Sequence, residues 1–165
     1  MDRFATPRLK ATKLARQDLP DLVRLHLDGE VSRFLGGVRT PSATATYLET
    51  NLRHWVDRGL GLWTLRTYDG AFIGRAGLRY VELEGVSELE LAYTFVRSAW
   101  GQGFATEIAQ ALVEIWHTRC AEPSLVGIVM KGNLASERVL LKAGFSHERD
   151  AVFHDENCGV FRRLR

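Results

Sequence analysis

The residues best suited to chemistry lie between Glu88 and Ala105. Gly101 and Gly103, in Trp100-Gly101-Gln102-Gly103-Phe104-Ala105, stand between an alternating strand, Leu89 to Val96, and a helical pattern. In that pattern Ala105, Ile108, Ala109, Leu112 and Trp116 recur at three and four, with Thr106, Glu107, Gln110 and Glu114 opposite. The first turn of a helix leaves backbone N–H groups without partners at the positive end of its dipole, and glycines let an anion come close to them. Strand, glycine turn and helix in this order therefore predict a phosphate cradle. Two nucleotide motifs are excluded. A dinucleotide fingerprint requires a third glycine where Thr106 stands, and residues 107–165 are too few to complete a doubly wound sheet. A Walker motif requires Gly-Lys-Ser/Thr, which does not occur.

Composition bounds the rest. A chain of 165 residues, 45% hydrophobic and 25% charged with four prolines, is read as one globular domain over 1–165. The net charge of +2, with both signs interleaved, argues against nucleic acid as a partner. Cys120 and Cys158 stand apart without a Cys or His pattern, which predicts reduced thiols and no metal. The N-terminus lacks an h-region and no apolar run reaches about 18 residues, so the expectation is a cytoplasmic protein without a membrane partner. His26, His54, His117, His147 and His154 are scattered, and none is assigned a role.

The elements that must position the glycine turn follow in order. Arg8 to Leu14 reads as an edge strand that opens the sheet. Asp18 and Pro20 begin a helix that Gly29 ends, Val31 to Thr40 reads as a loop, and Pro41 starts a second helix running to Gly59. Gly61 to Tyr68 and Ala71 to Leu83 form a hairpin turning at Asp69-Gly70. The central strand, Glu88 to Val96, precedes the turn and its helix, and Ser124 to Met130 is a buried strand parallel to it. Asn133 caps a short helix that Gly144 ends, and Phe145 to Phe153 with Cys158 to Leu164 make a last hairpin. The sum is about seven strands and four helices, an α/β fold with a mostly antiparallel sheet and one parallel step.

Two segments taken together resemble a known family. Trp100-Gly101-Gln102-Gly103-Phe104-Ala105-Thr106-Glu107, followed by Asn133-Leu134-Ala135-Ser136-Glu137-Arg138-Val139-Leu140-Leu141-Lys142-Ala143-Gly144-Phe145, is similar to the GNAT acyltransferase superfamily, specifically its RimJ/RimL branch of N-terminal acetyltransferases. The resemblance spans nearly the whole chain and includes Thr6-Pro7-Arg8-Leu9, Leu35-Gly36-Gly37, Gly61-Leu62-Trp63 and Ile73-Gly74. Trp100 departs from the Gln or Arg with which many superfamily members begin the turn, and is usual in this branch.

The resemblance implies a sheet splayed around acetyl-CoA, whose pyrophosphate would sit on the N–H groups of Gly101, Gln102, Gly103, Phe104 and Ala105 with the Thr106 hydroxyl. The pantetheine arm would pair with the backbone near Phe95, Val96 and Arg97 and touch Asn133. A backbone N–H at Phe95 or Val96 would meet the oxyanion. Glu90 is the candidate general base, acting through water, with Glu88 the alternative two residues earlier. Many relatives protonate the thiolate with a tyrosine where this chain has Leu140, so Ser136, one turn earlier, is the candidate acid. The expected function is acetyl transfer to a primary amine, foremost a protein or peptide α-amine. The alternatives are a small-molecule amine such as a polyamine, amino acid or antibiotic, and a non-catalytic CoA-binding module. A homodimer is compatible with the sequence.

Overall fold

A computed structural model describes residues 1–165. Its strands are β1 (Arg3–Ala5), β2 (Leu9–Lys13), β3 (Leu62–Thr67), β4 (Phe72–Leu83), β5 (Val86–Phe95), β6 (Ser124–Met130), β7 (Ser146–Phe153) and β8 (Glu156–Leu164). Its helices are α1 (Leu19–Leu27), α2 (Gly29–Ser32), α3 (Pro41–Arg58), α4 (Phe104–Arg119) and α5 (Leu134–Lys142). The strands hydrogen-bond in the order β1-β2-β3-β4-β5-β6-β8-β7. The parallel step is β5 against β6, registered at Glu90 and Val126. The mixed, mostly antiparallel sheet is therefore as expected, with eight strands rather than seven and five helices rather than four.

The chain divides into two compact units. Met1–Gly77 with Tyr93–Phe104 forms the first. Its core gathers Leu9, Leu22, Leu25, Leu48, Leu62 and Leu65 with Trp55 and Trp63, whose rings meet edge to face at 4.9 Å. The indole N–H of Trp55 donates to the Leu62 carbonyl at 2.8 Å, so helix α3 is tied to β3 by a polar bond as well as by packing. Thr40 caps α3 by accepting from the Ala43 N–H at 3.1 Å, and Pro41 follows in the first turn.

Leu78–Ala92 with Ala105–Arg165 forms the second unit. Ile108, Ala109, Leu112 and Trp116 of α4 are fully buried, the stripe that the periodicity predicts. Leu83, Val126, Ala151 and Val160 form a buried cluster, with Ile128 and Phe153 against it. Asn133 caps α5, its Oδ1 accepting from the Ser136 N–H at 3.2 Å. Phe145 closes the other end, donating its N–H to the Leu140 carbonyl at 3.0 Å after Gly144 in the left-handed conformation.

Two expectations are corrected here. Arg8 to Leu14 does not open the sheet: β1 lies outside it, with Phe4 opposite Ala11. Gly29 does not end α1 either. It begins α2, because the Asp28 carboxylate accepts from the N–H groups of Glu30 and Val31 and starts a new helical turn that runs into the expected Val31 to Thr40 loop.

Candidate active site

The glycine turn belongs to the first unit. Gly101 and Gly103 have φ of 73° and 80°, the left-handed region that an L side chain enters only with strain. Their pattern is thus a backbone requirement, and it winds the chain into the first turn of α4. Side chains fasten the turn. Gln102 donates through Nε2 to the Ser98 carbonyl at 2.6 Å, and the indole N–H of Trp100 donates to the Phe95 carbonyl at 3.0 Å. Arg8 donates to the Gln102 carbonyl at 2.8 Å and lays its guanidinium 4.3 Å from the centre of the Phe104 ring. Sequence reasoning gave Arg8 no role at the turn.

The end of β5 lies beside this turn within the same unit. Val96 donates its N–H to the Ile73 carbonyl of β4 at 2.9 Å. Successive residues of a strand direct their N–H groups to opposite sides, so the Phe95 N–H is directed away from β4. Of the two expected oxyanion donors, that of Val96 is already engaged. Gly74 is required here for close approach, since a Cβ on it would lie 2.1 Å from the Thr94 carbonyl oxygen. Arg97 pairs through Nε with Asp28 at 2.8 Å, joining the strand end to the start of α2.

Glu88, Glu90, Ala105, Thr106, Asn133 and Ser136 lie in the second unit. Glu90 is 4% exposed and accepts from Arg79 Nε at 2.7 Å. Glu88 is held by two bonds from Arg162, at 2.6 and 3.1 Å, while Arg162 also reaches Glu148 at 2.7 Å. The hydrogen bonds that Arg162 donates to Glu88 and Glu148 raise its pKa above the ordinary value, as two carboxylates around one guanidinium should. The alternating carboxylates therefore differ: Glu88 belongs to an ion-pair network, Glu90 to a buried pair. Ser136 is half-buried on α5, and its backbone N–H is engaged by the Asn133 cap. Leu140, on the same helix, is buried against Gly127, where a Cβ would come within 2.5 Å of its side chain. That position is a core position, which is consistent with leucine there.

The family model described as an acetyltransferase (GNAT) domain matches residues 8–146. The chain belongs to the GNAT acetyltransferase family. This GNAT chain is 24% identical over 163 residues to the uncharacterised protein YkkB of Bacillus subtilis, covering 98% of itself and 95% of that protein. An acetyltransferase from Agrobacterium tumefaciens shares its fold with a TM-score of 0.88 at 24% identity, over 100% of this chain and 95% of the other. RimL, a ribosomal L7/L12 α-N-protein acetyltransferase in complex with coenzyme A, matches with a TM-score of 0.79 at 18% identity, over 96% and 95%. The aminoglycoside acetyltransferase AAC(6')-Ib, also in complex with coenzyme A, matches at 0.76 and 18%, over 95% and 94%. At these identities the solved structures establish the GNAT fold and leave the acceptor open.

Proposed function

We propose that this chain is an acetyl-CoA-dependent N-acetyltransferase of the RimJ/RimL type that acts on a primary amine, with a protein or peptide α-amine the leading acceptor. The observation that carries it is the turn at the head of α4, where two left-handed glycines turn the backbone into a helix N-terminus and Arg8 adds a cation. These groups suit a pyrophosphate. Two GNAT structures similar to this chain hold coenzyme A, and one of them is RimL.

Bound acetyl-CoA supplies an activated acyl thioester. The chain supplies the rest. The amides of Gly101 to Ala105, with the Thr106 hydroxyl, hold the pyrophosphate, while Phe95 to Arg97 and Asn133 receive the pantetheine arm. The Phe95 N–H is the donor for the developing oxyanion, since the Val96 N–H is bound to Ile73. Glu90 takes the amine proton through water, and Ser136 returns a proton to the departing thiolate. Glu88 is the weaker base because two bonds from Arg162 already occupy both its oxygens.

A thiol-release assay against N-terminal peptides, polyamines, amino acids and aminoglycosides tests this. Thiol release with peptides supports the RimJ/RimL reading, and release with small amines alone moves the acceptor to that class. Binding of acetyl-CoA without turnover on any amine would leave a CoA-binding module.

A further inference from the structure

The end of β5 borders a cavity of about 470 Å³ whose lining belongs entirely to the first unit. That volume is within the range of small-ligand sites. Helix α1 contributes Leu25, α2 Val31, the start of β4 Phe72, and the residue after β5 is Val96. Leu25 and Val31 are buried and form the floor; Phe72 and Val96 are half-buried and keep apolar surface open to a ligand. Ser98 completes the wall beside the glycine turn, whose Gln102 donates to the Ser98 carbonyl. The cavity therefore adjoins the backbone assigned to the cosubstrate, since Val96 directly follows Phe95, the proposed oxyanion donor. No sequence motif marks it, because its walls come from elements far apart in the chain.

The charged residues around the cavity cancel among themselves. Asp21 accepts from Arg24 on its own helix and from Arg66 of β3. Arg66 also reaches Asp18 at 3.3 Å and lies 5.5 Å from the centre of the Phe72 ring. Asp28 accepts from Arg97 Nε at 2.8 Å through one oxygen and from the N–H groups of Glu30 and Val31 through the other. Asp18, Asp21 and Asp28 thus balance Arg24, Arg66 and Arg97. A cation entering the cavity would compete with an existing pair for each carboxylate and would first lose its own water. An anion would meet the exposed Arg24, whose charge is solvated and where a new ion pair is worth little. An uncharged apolar group disturbs no pair and covers Phe72 and Val96.

We infer that this cavity takes an uncharged, apolar group adjoining the acceptor amine. The inference rests on the acetyltransferase reading and narrows it to acceptors whose neighbouring group is hydrocarbon, against polyamines and aminoglycosides, which carry further cations. The group is the first side chain of a peptide or the body of a small monoamine.

Two acceptor series test it: peptides beginning with Leu, Ala, Asp or Lys, and the small amines pentylamine, ethylamine, 5-aminopentanoate and cadaverine. In one series the long apolar member, Leu or pentylamine, should have a kcat/KM about tenfold or more above the acidic and basic members. Whichever series shows the preference identifies the source. Val31→Phe, which fills the cavity, should lower the long apolar member about fivefold relative to the short one, Ala or ethylamine, with the Kd for acetyl-CoA unchanged. Asp21→Asn leaves Arg24 and Arg66 one carboxylate short and should raise the acidic member several-fold relative to the apolar one. If Val31→Phe fails to fold, Asp21→Asn decides. Equal rates for apolar, acidic and basic members in both series, a charged member preferred, or ratios unmoved by the variants overturn the inference. Calorimetry of the same acceptors with CoA-loaded protein separates the two readings. An apolar preference in binding without turnover on any amine removes acetyl transfer and keeps the cavity's role; turnover without preference does the reverse.

Discussion

Arg8 and Gln102, 94 positions apart, are joined by a 2.8 Å bond from the guanidinium to a backbone carbonyl of the glycine turn. The N-terminal segment therefore braces the turn and brings a positive charge to the head of α4. Arg8→Ala should weaken acetyl-CoA binding about five- to tenfold and flatten its salt dependence, with kcat at saturation little changed. Arg8→Lys should recover only part of the loss, because an ammonium neither forks nor stacks on Phe104 as a guanidinium does. Calorimetry at two ionic strengths gives both numbers. An unchanged Kd in Arg8→Ala would detach Arg8 from the cradle.

Gly103→Val places a β-branched side chain at φ of 80°, where the left-handed conformation costs about 1–2 kcal/mol even before branching is considered. The turn should rewind and acetyl-CoA affinity should fall severely, by about a hundredfold. Normal affinity in this variant would sink the cradle assignment.

Ser136→Ala keeps the α5 cap, since the bond to Asn133 comes from the backbone N–H and not from the hydroxyl. Loss of a proton donor should then appear in kcat, by about 10²-fold, with the Kd for acetyl-CoA unchanged. If kcat holds, another group protonates the thiolate.

Glu90 and Glu88 should separate by phenotype. Glu90→Gln should lower kcat/KM by about 10²-fold, as expected of a base. Glu88→Gln should mainly cost stability, about 1–3 kcal/mol, because it takes one carboxylate from the partly buried Arg162. A wild-type kcat/KM in Glu90→Gln would exclude it as the base.

His26 makes stability depend on acid. Its folded pKa of about 3 lies below the ordinary histidine value, so between pH 6.5 and 3 the unfolded chain binds the extra proton. Stability contributed by the neutral imidazole is whole above pH 6.5 and falls as pH drops, by about 1.4 kcal/mol per pH unit. Denaturant midpoints from pH 7 to 4 should fall more steeply in the wild type than in His26→Gln. Equal slopes would mean that His26 takes up its proton in the folded chain as readily as in the unfolded one.

What could be read along the chain was what short-range pattern carries. The stripe from Ala105 to Trp116, the strand before it, the parallel partner from Ser124 and the Asn133 cap each span a few turns or residues, so alternation, periodicity and cap chemistry were enough. β1 escaped because three residues are too few to show alternation, and α2 because one Asp28 cap starts a helix of only four.

The sequence alone therefore determined that a strand, a glycine turn and a helix follow one another, since the two glycines, the apolar spacing and the cap act on the backbone nearby. Only the tertiary structure decided which charges meet. Arg8 reaches Gln102, Arg79 holds Glu90, Arg162 holds Glu88, and Arg39 and Arg75 converge on Tyr47, because strand register and the docking of α1 and α3 on the sheet bring together residues that no local period connects. The same register directs the Val96 N–H to Ile73 and the Phe95 N–H the other way, a choice that one residue of slip would reverse.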